Sequence, residues 1–123
     1  MEGNRVTLKM GFDLPFYIFA FFGGFMEKES VYQGRLKKKI KNMLPGAIVL
    51  KNDPNWLQGV PDLTVLYEDK WAFLEVKRSE EDPHRPNQDY YVDLANKKSC
   101  YGAFIFPENE KEILGELQRA LES

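Results

Sequence analysis

Asp62, Glu75 and Lys77 are the residues of this chain whose types and spacing suit chemistry. They lie in the stretch GVPDLTVLYEDKWAFLEVK, from Gly59 to Lys77, which reads as two β-strands joined by a tight turn at Glu68-Asp69. With a two- or four-residue loop centred there, Tyr67 faces Lys70, Leu66 faces Trp71, and Asp62 falls opposite Glu75. Glu75 and Lys77 are two apart, so they share a face of the sheet. One register therefore gathers two carboxylates and an amine. Carboxylates held side by side repel each other unless a cation sits between them. A hard divalent cation such as Mg²⁺ accepts one or two carboxylates, completed by waters and phosphate oxygens. A neighbouring lysine can stabilise a developing anion or orient an activated water. The motif residues are embedded in the apolar runs LTVL and WAFL, which favours this reading over an exposed hairpin with ordinary surface charges.

The rest of the chain must position that hairpin. At 123 residues with an ordinary globular balance, it makes one domain. A net charge of −2 neither favours nor excludes a nucleic-acid partner. The single cysteine, Cys100, excludes an internal disulfide, fits a cytoplasmic location and reads as a small apolar filler. No Cys/His zinc pattern and no Gly-rich phosphate loop is present.

Residues 1–25 differ in pattern from the remainder of the chain. The apolar run from Leu14 to Phe22 is too short to span a bilayer as a helix, and no membrane association is expected of the domain. The patterned domain is complete from Met26, so residues 1–25 read as a dispensable apolar extension, with Met26 as the natural start. From Glu27 to Leu44, Tyr32, Leu36, Ile40 and Met43-Leu44 make a helical apolar stripe, ended by Pro45-Gly46. Glu29 falls on that stripe: either it complements the helix dipole or it faces a partner or metal. Arg35, Lys37, Lys38, Lys39 and Lys41 crowd the other faces, and Gly34 suggests a close backbone approach.

AIVLK, residues 47–51, is a short strand, and NDPN after it is a turn. RSEEDPHRPN reads as a mobile loop able to close over a site, with His84 solvated and non-catalytic. Pro86 suits the first turn of a helix ending near Ser99, with Tyr91, Leu94 and Ala95 inward and Gln88 near its start. YGAFIF, residues 101–106, is a buried strand. Asn109 and Glu112 suggest a capping box for a last helix that buries Ile113, Leu114, Leu117 and Leu121.

Pro61-Asp62, a spacer, then Glu75-Val76-Lys77 on the next strand resembles the PD-(D/E)xK nuclease superfamily. The likeness extends to Glu29 and Gln33 on the first helix, Gly59-Val60-Pro61-Asp62, Gln88 on the second helix and Tyr101-Gly102-Ala103. In that order the elements are most similar to the small VRR-NUC nucleases and the archaeal-type Holliday junction resolvases. The resemblance implies an α/β fold, a restriction-endonuclease-like core. It has a four-stranded mixed sheet flanked by helices in the order αβββαβα, with strands near 47–51, 61–67, 71–77 and 101–106. It implies a Mg²⁺- or Mn²⁺-dependent DNA endonuclease, with metal held by Glu29, Asp62, Glu75 and the Val76 carbonyl. Lys77 would stabilise the attacking hydroxide and Gln88 would orient phosphate or water. The DNA backbone would lie on Arg35, Lys37, Lys38, Lys39, Lys41, Arg85, Lys97 and Lys98. The expected substrate is branched DNA, four-way junctions above others, cut by a homodimer. An acidic Ser79–Asp82 loop, where junction-cleaving relatives carry more basic residues, leaves a restriction- or repair-type enzyme on flaps or duplex as the alternative. Outside enzymes the rivals are a DNA-binding module that no longer cleaves and a non-nucleic-acid interaction protein that uses the apolar N-terminal segment.

Overall fold

The computed structural model describes residues 5–7, 13–15, 27–98 and 100–123. Two short strands, β1 (Arg5–Thr7) and β2 (Asp13–Pro15), pair antiparallel as a separate sheet. The expected apolar extension otherwise lies outside the described residues, as do Met26 and the expected helix end at Ser99. Next in the chain are α1 (Glu29–Met43), β3 (Ile48–Lys51), β4 (Leu63–Tyr67), β5 (Lys70–Val76), α2 (Gln88–Lys97), β6 (Tyr101–Ile105) and α3 (Glu110–Glu122). From α1 onward the chain is α/β with one four-stranded mixed sheet, order β3-β4-β5-β6. The first three strands run antiparallel; β6 joins parallel to β5 after α2 crosses over. Among the described residues no helix is long and apolar enough to cross a membrane.

The central hairpin has the expected register: Tyr67 pairs with Lys70, Leu66 with Trp71 and Leu63 with Leu74. Its two-residue turn places Glu68 at φ 55°, a left-handed conformation unusual for a residue with a Cβ. Alternation along β4 and β5 sends Leu63, Val65, Ala72, Leu74 and Val76 to one face. There Tyr32, Leu36, Ile40 and Leu44 of α1 and Ile113, Leu117 and Leu121 of α3 close the core. Each fully buried leucine or isoleucine contributes on the order of 2 kcal/mol of transfer free energy.

The opposite face carries Leu66, Trp71, Phe73 and Glu75, and α2 covers only its β5–β6 half. Contact there is close because Gly102 has no side chain: a Cβ would lie 2.6 Å from the Val92 carbonyl oxygen. Phe73 meets Tyr91 edge to face, while Ile48, Leu50 and Leu66 stay exposed.

Several local expectations are corrected. The second helix starts at Gln88, not Pro86, because Asn87 at φ 72° breaks the helical path. Its buried residues are Gln88, Val92 and Ala95, with Tyr91 and Leu94 only half-buried. The capping box is not formed. The Asn109 side chain instead accepts from Phe106 N and donates to the Phe104 carbonyl, pinning the loop after β6. Nothing approaches Gly34, where a Cβ would meet open space.

Candidate active site

Among the described residues, four polar or charged side chains are buried: Gln33, Glu75, Lys77 and Gln88. Three of them meet at one point. Burying an ion is costly unless it is paired and hydrogen-bonded, so the convergence calls for a functional reason.

The carboxylate pair arises where the β4–β5 ladder ends. One step beyond Leu63 and Leu74, side chains take over the cross-strand bonding. Asp62 N–H donates to Glu75 Oε1 (3.2 Å), and Val76 N–H donates to Asp62 Oδ2 (2.9 Å). Asp62 and Glu75 thus lie on one face, as their spacing predicts. Val76 turns into the core between Glu75 and Lys77, which are buried on the other side. Lys77 N–H donates to the Ile105 carbonyl (2.8 Å), so β6 fixes the lysine's backbone.

Lys77 Nζ donates to Gln88 Oε1 (2.8 Å) and to the Pro83 carbonyl (2.9 Å), and stands 3.7 Å from Glu75 Oε2. Gln88 Nε2 donates to Glu75 Oε2 (2.6 Å), while its Oε1 also accepts from Arg85 N–H (2.7 Å). The amide of Gln88 is therefore engaged in joining acid to amine. Both its oxygen and its nitrogen are thus hydrogen-bonded within the protein. Across the cleft, Glu29 accepts from Gln33 Nε2 (3.1 Å), one helical turn later on α1.

The electrostatics arise from burial. Desolvation pushes the Glu75 carboxyl up to about 8, the adjacent Asp62 charge adds to this, and Lys77 opposes it. Asp62 is also raised by burial, against the pull of the Val76 N–H and the Lys77 charge. Glu29 is raised by burial and then by Asp62. Two adjacent carboxyls in such surroundings share a proton or need positive charge between them.

Asp62, Glu75, Lys77 and Gln88 line a cleft of about 820 Å³, together with Glu29 and Val76. Its lining donors include carboxylates and amides but no imidazole or thiol, which suits a hard cation. Among the described residues no three His, Cys, Asp or Glu side chains close into a cage. Glu29 lines the same cleft as Asp62 and Glu75, its carboxylate bonded to Gln33. A pair of carboxylates, with the remaining positions left to water and phosphate, is how Mg²⁺ is commonly held.

The basic residues divide. Arg85 lines the cleft, as do Lys28 and Arg78, which the sequence pattern did not single out. Their signal was adjacency: Lys28 precedes Glu29, and Arg78 comes directly after Lys77. Arg35 is held by Glu27 (2.6 and 2.8 Å) and Lys39 by Glu110. Lys37, Lys38 and Lys41 are exposed along α1 beyond the turn that carries Glu29. Lys97 and Lys98 lie at the end of α2 remote from Gln88, roughly 13 Å along its axis. None of these seven lines the cleft.

The loop after β5 is tied down rather than free. Besides the Lys77–Pro83 bond, Arg78 N–H donates to Asp82 Oδ2 (2.9 Å). His84 is not simply solvated: its ring stacks on Phe104 at 3.9 Å, and its Nδ1 lies 2.9 Å from Asp89 Oδ1. A comparison with known protein families, with curated proteins and with solved structures finds no match for this chain.

Proposed function

We propose that this chain is a metal-dependent DNA endonuclease with a restriction-endonuclease-like core, hydrolysing phosphodiester bonds. The reading rests on one observation. Asp62 and Glu75 sit opposite each other on neighbouring strands, and Glu75 is joined through the buried Gln88 to the buried Lys77, all opening on one cleft. A chain seldom keeps such a cluster for stability, because an apolar replacement costs less.

Asp62, Glu75 and the Val76 carbonyl would hold Mg²⁺ or Mn²⁺, with Glu29 acting from the far wall. Such an ion, when bound, polarises a phosphate and lowers the pKa of its water. The chain's own residues do the rest. Lys77, aimed by Gln88 and Pro83, places a positive charge beside the acid pair, where negative charge grows during phosphoryl displacement. Gln88 holds Glu75 and Lys77 at a fixed separation, so neither must reorganise during reaction. Lys28, Arg78 and Arg85 offer phosphate contacts at the cleft.

Branched DNA is the preferred substrate of this reading, nicked by two copies related by a two-fold axis. In this reading, recognition through Lys28, Arg78 and Arg85 at the cleft rests on backbone contacts and DNA shape. Incubation with duplex, flap, single-stranded and four-way-junction DNA, with and without Mg²⁺, tests the reading. Metal-dependent nicks with a junction preference are expected. DNA binding that is the same in EDTA, with no cleavage of any substrate, would leave a binding module instead.

A further inference from the structure

Trp56 is 89 % exposed, the most exposed large apolar side chain among the described residues. Tryptophan is ordinarily well buried, and leaving it in water forgoes a large transfer free energy. The loop that carries it is not loose. Asn55 N–H donates to Asp53 Oδ1 (2.8 Å), and Trp56 N–H donates to the Asp53 carbonyl (3.0 Å). Val60 N–H donates to the Leu57 carbonyl (3.1 Å). Gly59, at φ 84°, is pressed against the start of α2, where a Cβ would lie 2.4 Å from Asn87 Cβ. A fixed backbone therefore holds the indole out in solvent.

Its position matters. Asn55 and Gln58, on either side of Trp56 in sequence, both line the cleft that holds Asp62 and Glu75. The residues this loop contributes to the cleft are all uncharged, whereas Lys28 and Arg78 come from the start of α1 and the loop after β5. The cleft thus has cations on some segments and an uncharged segment on another; Trp56 does not itself line the cleft but lies in that segment, between Asn55 and Gln58 in sequence. A separated nucleic-acid strand has matching sides: charged phosphates along its backbone and open base faces away from it. In an intact duplex those faces are stacked and closed to an indole.

Building on the nuclease reading, we infer that Trp56 is a stacking platform for an unpaired nucleobase beside the phosphate held in the cleft. It selects DNA that is opened near the cut, by a gap, flap or junction, over continuous duplex. Stacking is tolerant of base identity, so the preference is for an unpaired base and not for a sequence.

Binding of the full chain is compared on a continuous duplex and on the same duplex with a short run of unpaired thymidines, with Ca²⁺ in place of Mg²⁺. Trp56→Ala should weaken binding to the gapped DNA roughly tenfold, with little change on the duplex. Trp56→Phe should recover most of the loss. The chain has two tryptophans, so Trp71→Phe leaves Trp56 as the sole indole, and gapped DNA should quench its fluorescence. Equal losses on both DNAs, or no loss on either, would overturn the inference while leaving the nuclease reading intact. A change in sedimentation of Trp56→Ala with unaltered DNA binding would overturn it in favour of a contact between copies. Failure of the unmodified chain to bind any DNA would remove the nuclease reading itself, and this inference with it.

Discussion

At the scale of single residues, Glu75 carries the most tension. It is 4 % exposed, faces a second carboxyl and is held by the Asp62 backbone N–H, the Gln88 amide and the nearby Lys77 amine. Its folded pKa stands above the unfolded value near 4.5, so the protonated form favours folding. Its stabilisation is complete below about pH 4.5 and is lost as pH rises towards 8. Asp62 and Glu29 are shifted the same way and add to the trend. Metal-free protein should therefore lose stability, on the order of a few kcal/mol, between those limits. Because an ion competes with that proton, Mg²⁺ should raise Tm much more at pH 8 than at pH 5. Glu75→Gln should flatten the metal-free profile and abolish most of the Mg²⁺ effect; thermal melts across pH with and without Mg²⁺ check both. The same change should abolish cleavage while sparing DNA affinity, as should Asp62→Asn and Lys77→Ala. Binding titrations beside single-turnover cleavage separate the two effects, and normal turnover in Glu75→Gln would remove that residue from the site.

At the scale of elements, two glycines predict opposite outcomes. Gly34 lies inside α1 with open space around it, so Gly34→Ala should stabilise by about 0.5–1 kcal/mol. Gly102 lies under α2, and Gly102→Ala should destabilise and push that helix outward. Because Gln88 begins α2, that shift should also impair cleavage; denaturant melts and kinetics on both variants test the pair. The same elements show what could be read from sequence. The hairpin register was legible because apolar alternation and a short turn leave one register that buries Val65, Ala72 and Leu74. The start of α2 was not, because a left-handed Asn87 outweighs the preference of Pro86 for a first turn. Asn109 with Glu112 three residues later looked like a cap, but two backbone groups of the preceding loop claim the Asn109 side chain. That Asp62, Glu75 and Lys77 come together was legible from strand pairing, and that Gln88 joins them from the resemblance. The cleft-lining cations were mostly missed, since a helical pattern gives the exposed face of α1 but not which end meets the sheet.

At the scale of the whole molecule, cations at the cleft are few among the described residues, with Lys28, Arg78 and Arg85 joining the buried Lys77 beside Glu29 and Asp82. DNA affinity should therefore be modest and fall as salt rises, with a slope matching a small number of phosphate contacts. Binding isotherms at several salt concentrations measure that slope. Arg78→Ala and Arg85→Ala should each lower it by about one phosphate equivalent, and an unchanged slope would place the DNA elsewhere.

The bond from Lys77 N–H to the Ile105 carbonyl has a consequence for the order in which the cleft's side chains become fixed. The Asp62–Glu75 pair belongs to a hairpin closed by two residues, a step that takes microseconds. The lysine's backbone is anchored only when β6 docks parallel to β5, which must wait for closure of the far longer loop through α2. Loop-closure entropy therefore predicts that the carboxylates meet before the lysine beside them is set. A chain still being synthesised, with β6 not yet made, holds its acid pair without an anchored amine. In that order the anchor of the Lys77 backbone arrives after the acid pair, supplied by a strand that itself contributes no side chain to the cleft.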